Sequence, residues 1–154
     1  MKSRIIGSIL VLAGMWGVIQ LIGIDNKNIS CVNVYVDFQQ LDNGKKISQC
    51  VSETGKTAAL QVLGKANINI TGTEKYGLAV ACRVNGLPTA AQEPCLKMPP
   101  ANAYWAVIIK KGDSFVNPNP QWGWAQTGIS DVYLYPGDSL GLVFTSGDKI
   151  KWPS

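Results

Sequence analysis

Histidine is absent from the 154 residues. That absence excludes Ser-His-Asp and Cys-His catalysis, histidine zinc sites and a histidine pH switch. Charge is sparse as well: charged residues make up 16% of the chain against 46% hydrophobic, which excludes a disordered acidic or basic tail. The net charge is +4, and Lys2 and Arg4 supply half of it. What remains is too weakly basic for an electrostatic footprint on nucleic acid, so no nucleic-acid partner is expected. None of the four cysteines stands in a Cys-x-x-Cys pair, which excludes zinc ribbons and thioredoxin-like redox motifs. Internal repeats and low-complexity tracts are missing too. The length suits one domain with an appendage.

What is present begins with an apolar run. Residues 5–24 carry no charge, and their only polar side chains are Ser8 and Gln20. At ~1.5 Å per residue, a helix of this length spans the ~30 Å hydrocarbon core of a bilayer. Lys2 and Arg4 precede the run, while Asp25 and Lys27 follow it and cancel. The positive-inside rule then keeps the N-terminus in the cytoplasm and sends residues 25–154 outward. The expected organisation is an N-terminal membrane anchor at 1–24, a polar tether at 25–30 and an extracytoplasmic domain at 31–154. A cleaved signal peptide starts in the same way, but its apolar region runs ~7–15 residues and ends at an Ala-x-Ala-like site. Here the run is longer and no such site follows. Lipidation at Cys31 is a further alternative, weakened by the poor lipobox Asn28-Ile29-Ser30. Each alternative exports the domain: to the cell membrane if the segment is kept, or secreted if it is cleaved.

All four cysteines, Cys31, Cys50, Cys82 and Cys95, lie beyond the run. An even number in an exported chain reads as a disulfide framework. Cys31–Cys50 with Cys82–Cys95 is the expected pairing, because each bond closes a short local loop.

The exported part reads as α+β, with one helix packed on a mainly antiparallel sheet. Val32, Val34, Val36 and Phe38 alternate with polar positions as a half-buried strand does. Asp42-Asn43-Gly44 signals a turn into a second strand over 46–51. Ala59, Leu63 and Ala66 recur at helical spacing, predicting a helix over 56–66 with Thr54 as its cap and Asn67 near its end. Alternation returns over 78–84 and ends at the Asn85-Gly86 turn. Further strands are expected over 103–111, 131–135 and 140–144, with an edge strand over 149–152 after the Ser146-Gly147-Asp148 turn.

Two short motifs imitate enzymes. Gly137-Asp138-Ser139-Leu140 spells an esterase block, but its serine needs a histidine base that the chain lacks. Pro136-Gly137-Asp138 is equally an ordinary turn. Gly55-Lys56-Thr57 resembles the end of a P-loop, yet the required earlier glycine position holds Cys50. The ten acidic residues form no calcium loop. No catalytic activity, resident cofactor or metal site is expected. The aromatic set Tyr104, Trp105, Trp122, Trp124 and Tyr135 carries the functional weight. One of Tyr104 and Trp105, and one tyrosine of 131–135, are expected in the core. Trp122 and Trp124 share a strand parity across Gly123, and such a flat apolar face binds organic ligands or partner proteins. The candidate binding residues are therefore Trp122, Trp124, Tyr104 and Tyr135.

The order of blocks resembles the transcobalamin-like C-terminal domain family, closest to small exported actinobacterial proteins built around that module. The resembling blocks are Thr57-Ala58-Ala59-Leu60-Gln61-Val62-Leu63, Cys82-Arg83-Val84-Asn85-Gly86-Leu87-Pro88, and Cys95 with Pro99-Pro100-Ala101-Asn102-Ala103-Tyr104-Trp105. Trp124-Ala125-Gln126-Thr127-Gly128 and Pro136-Gly137-Asp138-Ser139-Leu140-Gly141 complete them. The resemblance implies a β-grasp-like fold, cobalamin as a ligand, and a role beside a vitamin or metal uptake transporter. It maps no ligand-contact residue onto this chain. The reading at this stage is a membrane-anchored, non-catalytic binding module accessory to uptake of cobalamin or a related small molecule. The alternative is a structural or adhesion-type module binding another envelope protein.

Overall fold

The computed structural model describes residues 30–153 apart from Phe115 and Asp148. The span expected at 5–24, the tether up to residue 29 and Asp148 of the last turn lie outside the described residues. Among the described residues, no helix is long and apolar enough to cross a membrane.

In chain order the elements are β1 (Cys31–Asp37), β2 (Lys46–Ser52), β3 (Thr57–Ala58), α1 (Ala59–Lys65), β4 (Ile70–Thr71), β5 (Arg83–Val84), β6 (Tyr104–Lys110), β7 (Gly123–Trp124), β8 (Tyr133–Leu134) and β9 (Ser139–Thr145). The main sheet runs β2-β1-β9-β6-β7. Its first and last strands, β1 and β9, lie parallel, and the other pairs are antiparallel. β3 pairs with β8 and β4 with β5 in two small antiparallel ladders. Among the described residues the architecture is thus mixed, with one α-helix, two short 3-10 turns at Gln39–Asp42 and Ile129–Asp131, and mainly antiparallel pairing.

Strand position follows burial. β9 sits between two neighbours, and Leu140, Gly141, Leu142, Val143 and Phe144 are all buried, as a strand covered on both faces requires. One face of the sheet carries Val32, Val34, Val36, Trp105, Leu140, Leu142 and Phe144, packed against Ala59, Val62 and Leu63 of α1. The other face holds Ala106, Ile108 and Val143 under Tyr35, Tyr104, Trp122 and Ile150. The helix ends in a Schellman arrangement: Ile68 N donates to Leu63 O at 2.9 Å and Asn67 N to Gly64 O at 3.1 Å. Asn67 takes the left-handed φ of 57° that this stop needs, matching its expected place at the helix end.

Both expected disulfides are formed, Cys31–Cys50 and Cys82–Cys95, with Cα separations of 5.6 and 5.9 Å. They fit an oxidising compartment. Cys31 is therefore joined to Cys50, which is incompatible with a lipid on its sulfur.

Four expectations are corrected. The helix begins at Ala59, three residues later than 56, and its cap is Ala58 rather than Thr54. Thr57 and Ala58 are instead drawn into pairing with Leu134 and Tyr133, a long-range ladder that local periodicity does not encode. The strand over 78–84 shrinks to Arg83 and Val84. Leu78 is 42% exposed while both Ala81 and Cys82 are buried, so burial does not alternate there. Residues 149–153 form no strand; the strand on that side of β6 is β7, and Trp152 instead packs edge-on against its Trp124. Neither tyrosine near β8 is core: Tyr133 and Tyr135 are 50% and 51% exposed, and Leu134 between them is buried.

The esterase look-alike is a loop clamp. Gly137 turns at φ 94°, and Asp138, 5% exposed, accepts from Lys111 Nζ at 2.9 Å, Gly112 N at 2.9 Å and Tyr135 N at 3.0 Å. Asp138→Ala strips partners from two main-chain amides and is expected to cost roughly 2 kcal/mol. Urea denaturation measures it; a loss below ~0.5 kcal/mol, typical of ordinary surface positions, would refute the clamp.

Candidate binding groove beside β6

The site grows out of the register of the last sheet edge. Ile108 faces Trp124 and Ile109 faces Gly123, which sets Trp124 on the sheet face opposite α1. There its ring stacks on Tyr104, with centroids 6.4 Å apart and planes 23° apart. Trp152 meets it edge-on at 6.0 Å. Trp124 remains 43% exposed.

Tyr104 and Trp124 border a groove of about 420 Å3, within the ~300–1,000 Å3 of small-ligand sites. Residues 104–107 of β6 form its floor. Ala79, Val80 and Ala81 make one wall, and Met98, Pro99 and Ala101 the other, with Ala125 and Thr127 beside Trp124. Small side chains leave the space: alanines stand at 79, 81, 101, 106 and 125.

Both walls are held from outside the groove. A side chain at Gly128 would meet Ala79 O at 2.6 Å and Ala79 Cα at 2.9 Å, so only glycine lets the chain after β7 press on the first wall. Ile129 N then donates to Ala79 O at 3.2 Å. The second wall follows Cys95, which the disulfide ties to Cys82. Glu74 N and Lys75 N donate to Cys95 O and Leu96 O at 2.8 and 3.2 Å, and Cys95 N donates to Glu93 Oε1 at 2.9 Å.

The groove is electrically quiet. No charged side chain lines it; its polar side-chain groups are the Tyr104 and Thr127 hydroxyls, the Trp124 ring N–H and the Trp105 ring N–H. The Trp105 N–H already donates to Leu87 O at 2.9 Å. The buried carboxylates are engaged elsewhere. Asp37 accepts from Tyr35 and Gln39, Glu53 accepts from Lys65, and Asp138 holds its loop. Burial, and next the hydrogen bond to Asp37, raise the Tyr35 hydroxyl above its ordinary 10.0. Cys82, Glu93 and Cys95 lie within reach of one ion, but both sulfurs are joined to each other and the carboxylate serves Cys95 N.

Of the four candidate residues, the structure brings Tyr104 and Trp124 together at the groove. Trp122 lies on the same sheet face but serves packing: its ring covers Gly141 and the cluster around Ile108. Tyr135 stands at the opposite end of the sheet, beside Asp138. Lys56 of the P-loop look-alike sits over the Tyr133 ring at 4.4 Å. Sequence reasoning missed both groove walls and Trp152. The available signal was Met98 followed by two prolines just after Cys95: an exposed apolar side chain on a stiffened, disulfide-tied segment. No family model, curated protein or solved structure matches this chain.

Proposed function

We propose that the chain is an extracytoplasmic, membrane-anchored binding module without catalytic chemistry, accessory to uptake of cobalamin or a related small molecule. The observation that carries the reading is the apolar, uncharged groove bordered by Tyr104 and Trp124. Its lining offers contact area and stacking, with hydroxyls and ring N–H groups but no carboxylate, amine or thiol. Two disulfides support an exported domain, and the apolar run at 5–24 supports the anchor. A β-grasp-like fold of the transcobalamin-like C-terminal type draws support from the strand order, in which the first and last strands run parallel side by side. The position of α1, after the β1–β2 hairpin, agrees with it.

The test is saturable quenching of tryptophan fluorescence by cobalamin and simpler corrinoids. Trp124→Ala is expected to weaken binding by ~2 kcal/mol, as at a hot spot, while costing ~1–2 kcal/mol of stability through its lost ring contacts with Tyr104 and Trp152. Absence of any saturable quenching would overturn the small-molecule reading. The second reading, an envelope protein-interaction module, is favoured by one specific observation: among the described residues, no strand lies beside the main-chain edge of β6 at Trp105.

A further inference from the structure

β6 is only half covered on its outer edge. β7 pairs with it at Ile108 and Ile109 alone, and Ala125 N then donates to Val107 O at 3.0 Å. Antiparallel pairing alternates the edge to which successive residues turn their main-chain groups. Trp105 therefore turns its N–H and C=O the same way as Val107, away from β9. The Tyr104 carbonyl, of opposite parity, accepts from Thr145 Oγ1 on β9. Among the described residues, none bonds to the main-chain N–H or C=O of Trp105 or to the Val107 N–H. Trp105 and Val107 both line the groove.

We propose that this groove is a strand-addition site: it takes an extended, uncharged apolar peptide segment of a partner protein, which pairs with β6 alongside residues 104–107. The proposal rests on the second reading above, the groove as a protein-interaction surface, and names its occupant. A purely apolar molecule would fill the space and leave the Trp105 and Val107 groups unpaired in apolar surroundings, which is unfavourable. A peptide main chain presents donors and acceptors at the two-residue repeat that these groups require, while its alternate side chains enter the space between the walls. The uncharged lining argues against a charged segment, whose desolvation nothing here would offset. The opposite edge of the sheet is different: β2 exposes Lys46, Ser48 and Gln49 there, the polar edge that discourages strand addition.

The test uses the full chain in nanodiscs and a blocked five-residue peptide of alternating valine and threonine. A second probe is the same peptide N-methylated at the amides that would face β6. The expected result is saturable tryptophan quenching by the first peptide, at least tenfold weaker binding of the methylated one, and several-fold slower amide exchange over 104–107. Ala101→Trp, which fills the groove from an exposed position, should keep the parent denaturation curve and bind at least tenfold more weakly. Equal binding of both peptides, unchanged binding to Ala101→Trp, or no saturable response would overturn the proposal. Exchange over 104–107 that slows with protein concentration alone would instead assign the edge to a second copy of the chain and also overturn it. Corrinoid binding is a separate readout, so failure of either reading is distinguishable from failure of the other.

Discussion

Reducing both disulfides is expected to lower the stability of the domain by ~6 kcal/mol, the largest single effect anticipated for this chain. Each bond spans a short separation, 19 residues for Cys31–Cys50 and 13 for Cys82–Cys95. A closed loop of this size removes ~3 kcal/mol worth of freedom from the unfolded chain. The two bonds sit in different parts of the fold, one across the β1–β2 hairpin and one under the groove wall, so their effects should add. A domain stabilised by ~5–15 kcal/mol in total would retain little margin. Guanidinium denaturation with and without a phosphine reductant measures the loss. Non-reducing peptide mapping checks the connectivity, and finding Cys31 joined to Cys82 or Cys95 would refute it.

Truncating Trp105 to alanine is expected to cost ~3–5 kcal/mol, as for other core aromatics. The side chain is 4% exposed and wedged between Phe38 and Phe144, with ring centroids 5.3 and 5.5 Å away in edge-on geometry. Its ring N–H also holds Leu87 O at 2.9 Å, and Leu87 closes the tight turn through Asn85 and Gly86. The loss is thus a cavity plus one of the two hydrogen bonds that Leu87 O accepts, the other coming from Val84 N at 2.9 Å. Trp105→Phe should keep most of the packing and lose about 1 kcal/mol for the missing hydrogen bond. Equilibrium unfolding of the two variants beside Trp124→Ala separates a core indole from a groove indole. Equal losses at 105 and 124 would remove Trp124 from the binding site.

The parts of this fold that were legible in the sequence are those where one-dimensional periodicity meets one-sided burial. β1 announces itself through Val32, Val34 and Val36, and the disulfide pairing follows from short separations. Periodicity fails where a distant segment decides. Thr57 and Ala58 look like the start of a helix until Tyr133 and Leu134 pair with them. The stretch from Leu78 to Val84 has the composition of a strand, but contact with Gly128 and the bond from Cys82 fix most of it as a wall instead. The groove was half legible for the same reason. Aromatic content singled out Tyr104 and Trp124, but only the register of β7 on β6 brings them together. That register also sets Trp122 over Gly141, while the turn between β8 and β9 holds Tyr135 beside Asp138.

The parallel pairing of β1 with β9 has a consequence for the order in which this protein can be made. The strand that joins the two halves of the sheet is the last of the described strands in the chain, since β9 ends at Thr145 and takes its place between β1 and β6. Until it arrives, the β1–β2 hairpin is an isolated ribbon, marginal in water. Closing the sheet then requires contacts across more than a hundred residues of chain, from Asn33 to Ser139, which makes folding slow compared with local helix formation. A chain delivered from its N-terminus therefore passes through any narrow exit as loose segments, and commits to its structure only after residue 145 has emerged.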